Sequence, residues 1–241
     1  MNPAGGRLEG RIVLVTGASR GLGAAVAAAC AGEGAKLVLV GRTRGALEEV
    51  DDACRRAGGA EATIAVLDLT KGELVDALGG SLHQRFGHLD GLVACAAELG
   101  VVTPASHLEP KTFERILALN LIANQRLIRS LDPLLRAAPN GRAVFVTDGG
   151  AGPSRPYWGG YAATKAGLEA LALAYAAEQR LTRVRVNLFD PGPMATRLRA
   201  QAYPGERPGA VPDPAAIAPQ VIALLTPDCT SNGTILRVSE R

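Results

Sequence analysis

A doubly wound α/β domain, built on a parallel sheet of about seven strands, is the fold class this sequence predicts, and three observations carry the prediction. Short β-branched runs alternate with long helical ones, the short runs are apolar almost without a break, and a glycine-rich turn joins the first strand to the first helix. Strand then helix, repeated, implies parallel strands joined by right-handed crossovers. Runs such as Ile12-Val13-Leu14-Val15 and Leu37-Val38-Leu39-Val40 lack the alternation of a half-exposed sheet, as expected where helices cover both faces.

Taken in order, strands are expected at residues 11–16, 36–40, 62–67, 89–95, 142–147, 184–189 and 234–238. Helices are expected at 22–31, 44–57, 112–137 and 162–180, where apolar residues recur at helical spacing, as at Phe113, Ile116 and Leu117. Between 201 and 214, Pro204, Pro208, Pro212 and Pro214 with Gly205 and Gly209 rule out a regular element. The segment from about 193 to 214 is therefore expected to be a loop covering a site. No internal repeat is present. In such sheets ligands sit beyond the carboxyl ends of the strands, so the residues that follow each strand matter most.

The 241 residues suffice for one large α/β domain and not for two with a linker, so a single domain spanning 1–241 is expected. Hydrophobic residues make up 47% and aromatic ones 4%, which suits helices packed closely on a sheet. The net charge of +3 is scattered, with no basic run to track a phosphate backbone, and nucleic acid is excluded as a partner. Cys30, Cys54, Cys95 and Cys229 are far apart and form no CxxC pair, so neither a metal site nor a disulfide framework is expected. Residues 1–10 lack the apolar stretch of a signal peptide, and no apolar run reaches the roughly 20 residues of a membrane helix. A cytoplasmic protein without membrane attachment is the expectation.

The turn Thr16-Gly17-Ala18-Ser19-Arg20-Gly21-Leu22-Gly23 follows the first strand and opens the first helix. Glycines there allow close backbone approach, and the helix start presents free N–H groups to a pyrophosphate. Gly17, Ser19, Arg20, Gly21, Leu22 and Gly23 are thus candidate dinucleotide ligands; other nucleotide turns share the pattern, and its place between strand and helix gives it weight. A cofactor with free ribose hydroxyls calls for an acidic residue at the end of the next strand, but Gly41 and Arg42 stand there. Arg20 and Arg42 together suit a 2′-phosphate, and NADP(H) is expected over NAD(H).

Tyr161 and Lys165, four residues apart at a helix start, share one face. An ammonium beside a phenol favours phenolate and would pull the tyrosine down from about 10.

With these features in place, the whole chain resembles the short-chain dehydrogenase/reductase family, in a bacterial branch of ill-defined substrate. The resemblance rests on the Thr16 to Gly23 turn, Asp68-Leu69, Asn120, Tyr161 with Lys165, and Pro191-Gly192 leading through Met194 to Thr196. It implies a Rossmann-type sheet and assigns roles. Asp68 would meet the adenine, and Tyr161 would be the general acid or base. Lys165 would hold the nicotinamide ribose and lower the Tyr161 pKa, Asn120 would anchor a relay water through its backbone, and Thr196 would bind the carboxamide. It also implies a homodimer or homotetramer joined through residues 112–137 and 162–180. Residues 99–103, Tyr157-Trp158 and the proline-rich loop would shape substrate choice.

Two departures stand out. The family's Asn-Asn-Ala-Gly reads Ala94-Cys95-Ala96-Ala97, and the catalytic serine expected 13 positions before Tyr161 is Asp148. A serine donates a hydrogen bond to developing negative charge, whereas an ionised aspartate only accepts. Three alternatives follow: Thr147 supplies the hydroxyl through a bend at Gly149 and Gly150; Asp148 suits a cationic or donor substrate such as an amine or imine; or catalysis is weak and dinucleotide binding serves a regulatory, redox-sensing role. The leading expectation is an NADP(H)-dependent oxidoreductase acting on a small carbonyl or alcohol substrate, with Tyr161, Lys165, Asn120 and Asp148 at its centre.

Overall fold

The computed structural model describes residues 6–149 and 155–238. Seven parallel strands form one sheet: β1 (Ile12–Thr16), β2 (Lys36–Gly41), β3 (Thr63–Val66), β4 (Gly91–Ala94), β5 (Arg142–Val146), β6 (Arg185–Asp190) and β7 (Ile235–Arg237). Their order is β3-β2-β1-β4-β5-β6-β7, so the chain works outward from β1 to one edge and then returns to fill the other side beginning with β4. The crevice at this reversal lies between the carboxyl ends of β1 and β4, which are paired Thr16 to Ala94.

Alternate residues of these strands feed two cores. Val13, Val15, Leu37, Leu39, Val93, Val144 and Phe189 pack under α1 (Gly21–Gly32), α2 (Arg44–Arg56), α8 (Pro214–Ile217) and α9 (Pro219–Leu225). On the other face Leu14, Val38, Val40, Leu92, Phe145, Val186 and Leu188 pack under α3 (Gly72–Phe86), α5 (Ala123–Ala137) and α6 (Gly159–Glu178). The period-two split with burial on both sides is the reason the strands read as unbroken apolar runs.

The helices depart from expectation in four places. α3 was not foreseen: Val75, Leu78 and Leu82 give it an apolar stripe, but Gly79 and Gly80 interrupt its helix-forming sequence. Gly79 is there for space, since a Cβ would lie 2.2 Å from the Ser130 carbonyl oxygen of α5. The single helix expected over 112–137 is α4 (Pro110–Leu117), a π-helical turn at Ala118–Ile122, and α5. α6 begins at Gly159, before the expected 162, which places Tyr161 in its first turn. Finally, α7 (Arg197–Ala202) enters the segment expected to be irregular, and Pro214 opens α8 instead of breaking a helix. The Thr196 side chain caps α7 by accepting from the Arg199 N–H at 3.1 Å.

Candidate active site

One cavity of about 730 Å³ runs along the carboxyl ends of β1, β2, β4, β5 and β6. Its first end is the glycine turn. Gly17 has φ +63°, and a Cβ there would lie 2.8 Å from the backbone of Ala96, so only glycine lets the turn lie against the loop after β4. A Cβ on Gly23 would lie 2.3 Å from the Gly17 carbonyl oxygen. Arg20, the N-cap of α1, makes no side-chain capping bond, and no acidic residue stands in the first helical turn. The first N–H groups of α1 are thereby left to face the cavity, a site for an anion.

Ser19, Arg20, Gly21, Leu22, Arg42, Asp68 and Leu69, the candidates of the sequence, line this end. The Asp68 carboxylate accepts from the Thr70 N–H at 2.9 Å and from its hydroxyl at 2.8 Å. Burial pushes its carboxyl up, but these two bonds with the charges of Arg42 and Lys71 outweigh that and hold it below the usual range.

The other end is built by β5, β6 and α6. Tyr161 is 5% exposed, at the cavity wall, and its hydroxyl donates to the Asp148 carboxylate. Burial, the Asp148 charge, that hydrogen bond and the Asp190 charge together push the phenol well above 10. This corrects the expectation that Lys165 lowers it. The Lys165 ammonium lies 5.7 Å from the Tyr161 ring centre and donates instead to the Val146 carbonyl at 2.9 Å. Burial lowers Lys165 to about 8, with Asp148, Cys95, Glu169 and Asp190 opposing.

The alternatives for the missing serine resolve in part. Thr147 does not replace it, because its hydroxyl donates to the Glu169 carboxylate of α6. Gly150, invoked for a bend, lies outside the described residues. Asn120 is fully buried in the π-helical turn and does not line the cavity. Its side chain accepts from the Glu98 N–H at 2.9 Å and donates to the Glu98 carbonyl at 2.8 Å, while its own carbonyl accepts from Asn124 at 2.8 Å. The side chain thus steadies the loop after β4 where Ala94-Cys95-Ala96-Ala97 offer no side chain to do so, and the carbonyl expected to anchor a relay water accepts from Asn124 on one of its two lone pairs.

Asp190 was missed. It ends β6 and takes the Gly149 N–H on one oxygen at 3.0 Å and the Gly192 N–H on the other at 3.1 Å, tying the start of the loop after β5 to the Pro191-Gly192 turn. Its only sequence signal was its place directly before that dipeptide. Pro191, Gly192, Met194 and Thr196 all line the cavity.

Over Tyr161 stands an apolar chamber of Leu99, Trp158, Leu198, Ala202 and Tyr203. Trp158 meets Tyr161 edge-on with ring centres 6.0 Å apart. Arg155 stacks on Trp158 at 4.3 Å, and Arg199 stacks on Tyr203 at 3.7 Å while forming a two-pronged pair with Glu206. Tyr157, expected beside Trp158 in the pocket, points out at 59% exposure.

Among the described residues no group of three or more His, Cys, Asp or Glu could hold a metal ion, and no helix is long and apolar enough to cross a membrane.

Residues 11–207 match the family model described as short chain dehydrogenase. The chain is 34% identical over 223 residues to YciK, an oxidoreductase of Escherichia coli K12, covering 92% of this chain and 88% of that protein. Among solved structures, a short chain dehydrogenase from Pseudomonas syringae superposes with a TM-score of 0.92 at 38% identity over 95% of both chains. One from Escherichia coli CFT073, complexed with NADPH, gives 0.92 at 32% identity over 98% of this chain and 99% of that one.

Proposed function

The chain belongs to the short chain dehydrogenase family, and from that premise we propose that it is an NADP(H)-dependent oxidoreductase interconverting a carbonyl and an alcohol. The observation that carries the proposal is the continuity of one cavity from Arg20 and Arg42 at one end to Tyr161 and Lys165 at the other. The NADPH bound to the structural relative from Escherichia coli CFT073 supports the choice of cofactor. The glycine positions fit the group too, since any side chain at Gly17 or Gly23 would fill the cradle or push it apart.

When bound, the nicotinamide supplies or accepts the hydride. The chain's own residues do the rest. The turn Gly17 to Gly23 and the open N–H groups of α1 would receive the pyrophosphate, with Ser19 and Leu22 at its rim. Arg20 and Arg42 would clamp the 2′-phosphate with charge-assisted bonds, and Asp68 with Leu69 would bound the adenine. Pro191, Gly192, Met194 and Thr196 would hold the carboxamide, and Lys165 the ribose next to it. Tyr161 would transfer a proton to or from the substrate oxygen, held by Trp158 on one side and Asp148 on the other. Leu99, Trp158, Leu198 and Tyr203 favour a substrate with an apolar body.

Mixing the enzyme with NADPH and a panel of aromatic and alicyclic ketones and imines, in single turnover, tests this directly. Oxidation of NADPH by at least one of them is expected. Tight NADPH binding without transfer to any would defeat it.

A further inference from the structure

The Tyr161 hydroxyl donates a hydrogen bond to the Asp148 carboxylate, at the position where the family's pattern has a hydroxyl. Of the neighbouring polar groups, Lys165 donates one of its three N–H bonds to the Val146 carbonyl, and the Asn120 carbonyl accepts from Asn124 on one of its two lone pairs. Asp148 itself lines the cavity. The charged groups that act on this pair come from three elements. Lys165 on α6 and Arg199 on α7 face Asp148, and Asp190 at the end of β6 acts on both Tyr161 and Lys165. Among the described residues Lys165 and Arg199 both act on the carboxylate, and the carboxylate accepts the hydrogen bond of the phenol.

We propose that Asp148 is the proton partner of Tyr161, taking the phenol's proton as a substrate alcohol gives up its own, and returning it in the reverse reaction. The inference rests on the oxidoreductase assignment above. In the oxidising direction the substrate O–H bond breaks as its proton passes to the Tyr161 oxygen, the Tyr161 proton passes to an Asp148 oxygen, and the hydride leaves with the C–H electron pair for the oxidised nicotinamide. The proton on Asp148 then escapes through the cavity mouth. Reduction runs the same path backward, with Asp148 starting protonated. Asp148 acts through Tyr161 and is a positioning and relay residue, not one that touches the substrate carbon.

This sets a direction for pH. An ionised Asp148 can accept a proton, so alcohol oxidation rises with pH as one group loses its proton, and ketone reduction falls through the same ionisation. Asp148→Asn keeps an oxygen to accept from Tyr161 but cannot take the proton. In the ligand-free protein, ultraviolet titration of the phenols, with Tyr161→Phe identifying the relevant step, should show the Tyr161 midpoint at lower pH in Asp148→Asn than in wild type, because the neighbouring charge is gone. With NADP+ and an alicyclic alcohol, Asp148→Asn should lose about 100-fold in kcat together with the pH-dependent limb, while NADPH affinity by calorimetry stays unchanged. Asp148→Glu should restore the limb, and Asp148→Ala, which removes both the charge and the acceptor, takes the place of the asparagine variant if that fails to fold. A shifted phenol with unchanged turnover, or lost turnover with an unshifted phenol, overturns the proposal. If wild type binds NADPH but turns over nothing, the oxidoreductase assignment fails and the phenol titration alone decides whether the pair exists.

Discussion

Arg42 is the residue on which cofactor choice turns. It follows β2 where a ribose-binding carboxylate would otherwise stand, and its charge already acts on Asp68 across the cavity. Arg42→Asp should lower the ratio of NADPH to NADH affinity by about 10- to 100-fold, the value of one charge-assisted bond, and calorimetry with both cofactors measures it. An unchanged ratio would remove Arg42 from the phosphate clamp. The common helix face of Tyr161 and Lys165 was legible because a spacing of four residues fixes it whatever the rest of the fold does, while the role expected of the pair came from the family resemblance. Their electrostatics were not legible. The partners that raise the phenol, Asp148 just after β5 and Asp190 at the end of β6, come close to Tyr161 through neighbouring parallel strands that lie about forty residues apart in the chain. Spacing rules that work within one helix carry no such information.

At the scale of the element, the five inner strands β2, β1, β4, β5 and β6 were legible because burial on both faces leaves no polar alternation to confuse the pattern, whereas the less buried edge strands β3 and β7 were legible only as short apolar runs. α3 was hidden by its own packing. Gly79 lowers local helix propensity so that α3 can approach α5, and the closeness of that approach is a tertiary fact with no mark in the local sequence. Gly79→Ala should therefore destabilise the chain by roughly 2 kcal/mol even though alanine is the better helix former, since the added methyl meets the Ser130 carbonyl and its backbone. A chemical denaturation midpoint equal to or above that of wild type would show that the two helices can separate at little cost. α7 was missed for a different reason: the prolines that follow it dominate the composition, while its start is set by the Thr196 cap, a single residue.

Across the whole molecule, two properties follow from buried and exposed side chains of α6. Lys165 is lowered to about 8 in the folded chain against 10.5 for the free side chain, so between those pH values the unfolded chain holds more protons and folding gains stability as pH rises. The buried thiols of Cys54 and Cys95, pushed up to about 11 and about 12, work in the opposite sense above pH 9. The Lys165 contribution is isolated by comparison with Lys165→Met. That variant should be the more stable at pH 7, by on the order of 3 kcal/mol at most, with the gap closing between pH 8 and 10.5. A gap independent of pH would mean that Lys165 is not the group involved. The second property is association. Ile122, at the end of the π-helical turn, and Leu173 on α6 are 50% and 37% exposed in the single chain. If the homodimer or homotetramer implied by the family resemblance forms through these helices, Leu173→Glu should lower the mass measured by light scattering to that of one chain, and a mass already equal to 24.9 kDa in wild type would exclude it.

The two hydrogen bonds that Asp190 accepts from Gly149 and Gly192 bear on how this scaffold can be re-engineered. They fasten the roots of two adjacent loops to one carboxylate, and a methyl group at Gly149 would lie 2.5 Å from it. Grafts or insertions meant to reshape the chamber over Tyr161 belong beyond those roots, in the arm that carries Leu198, Ala202 and Tyr203, where length and composition can change while the fastening stays intact.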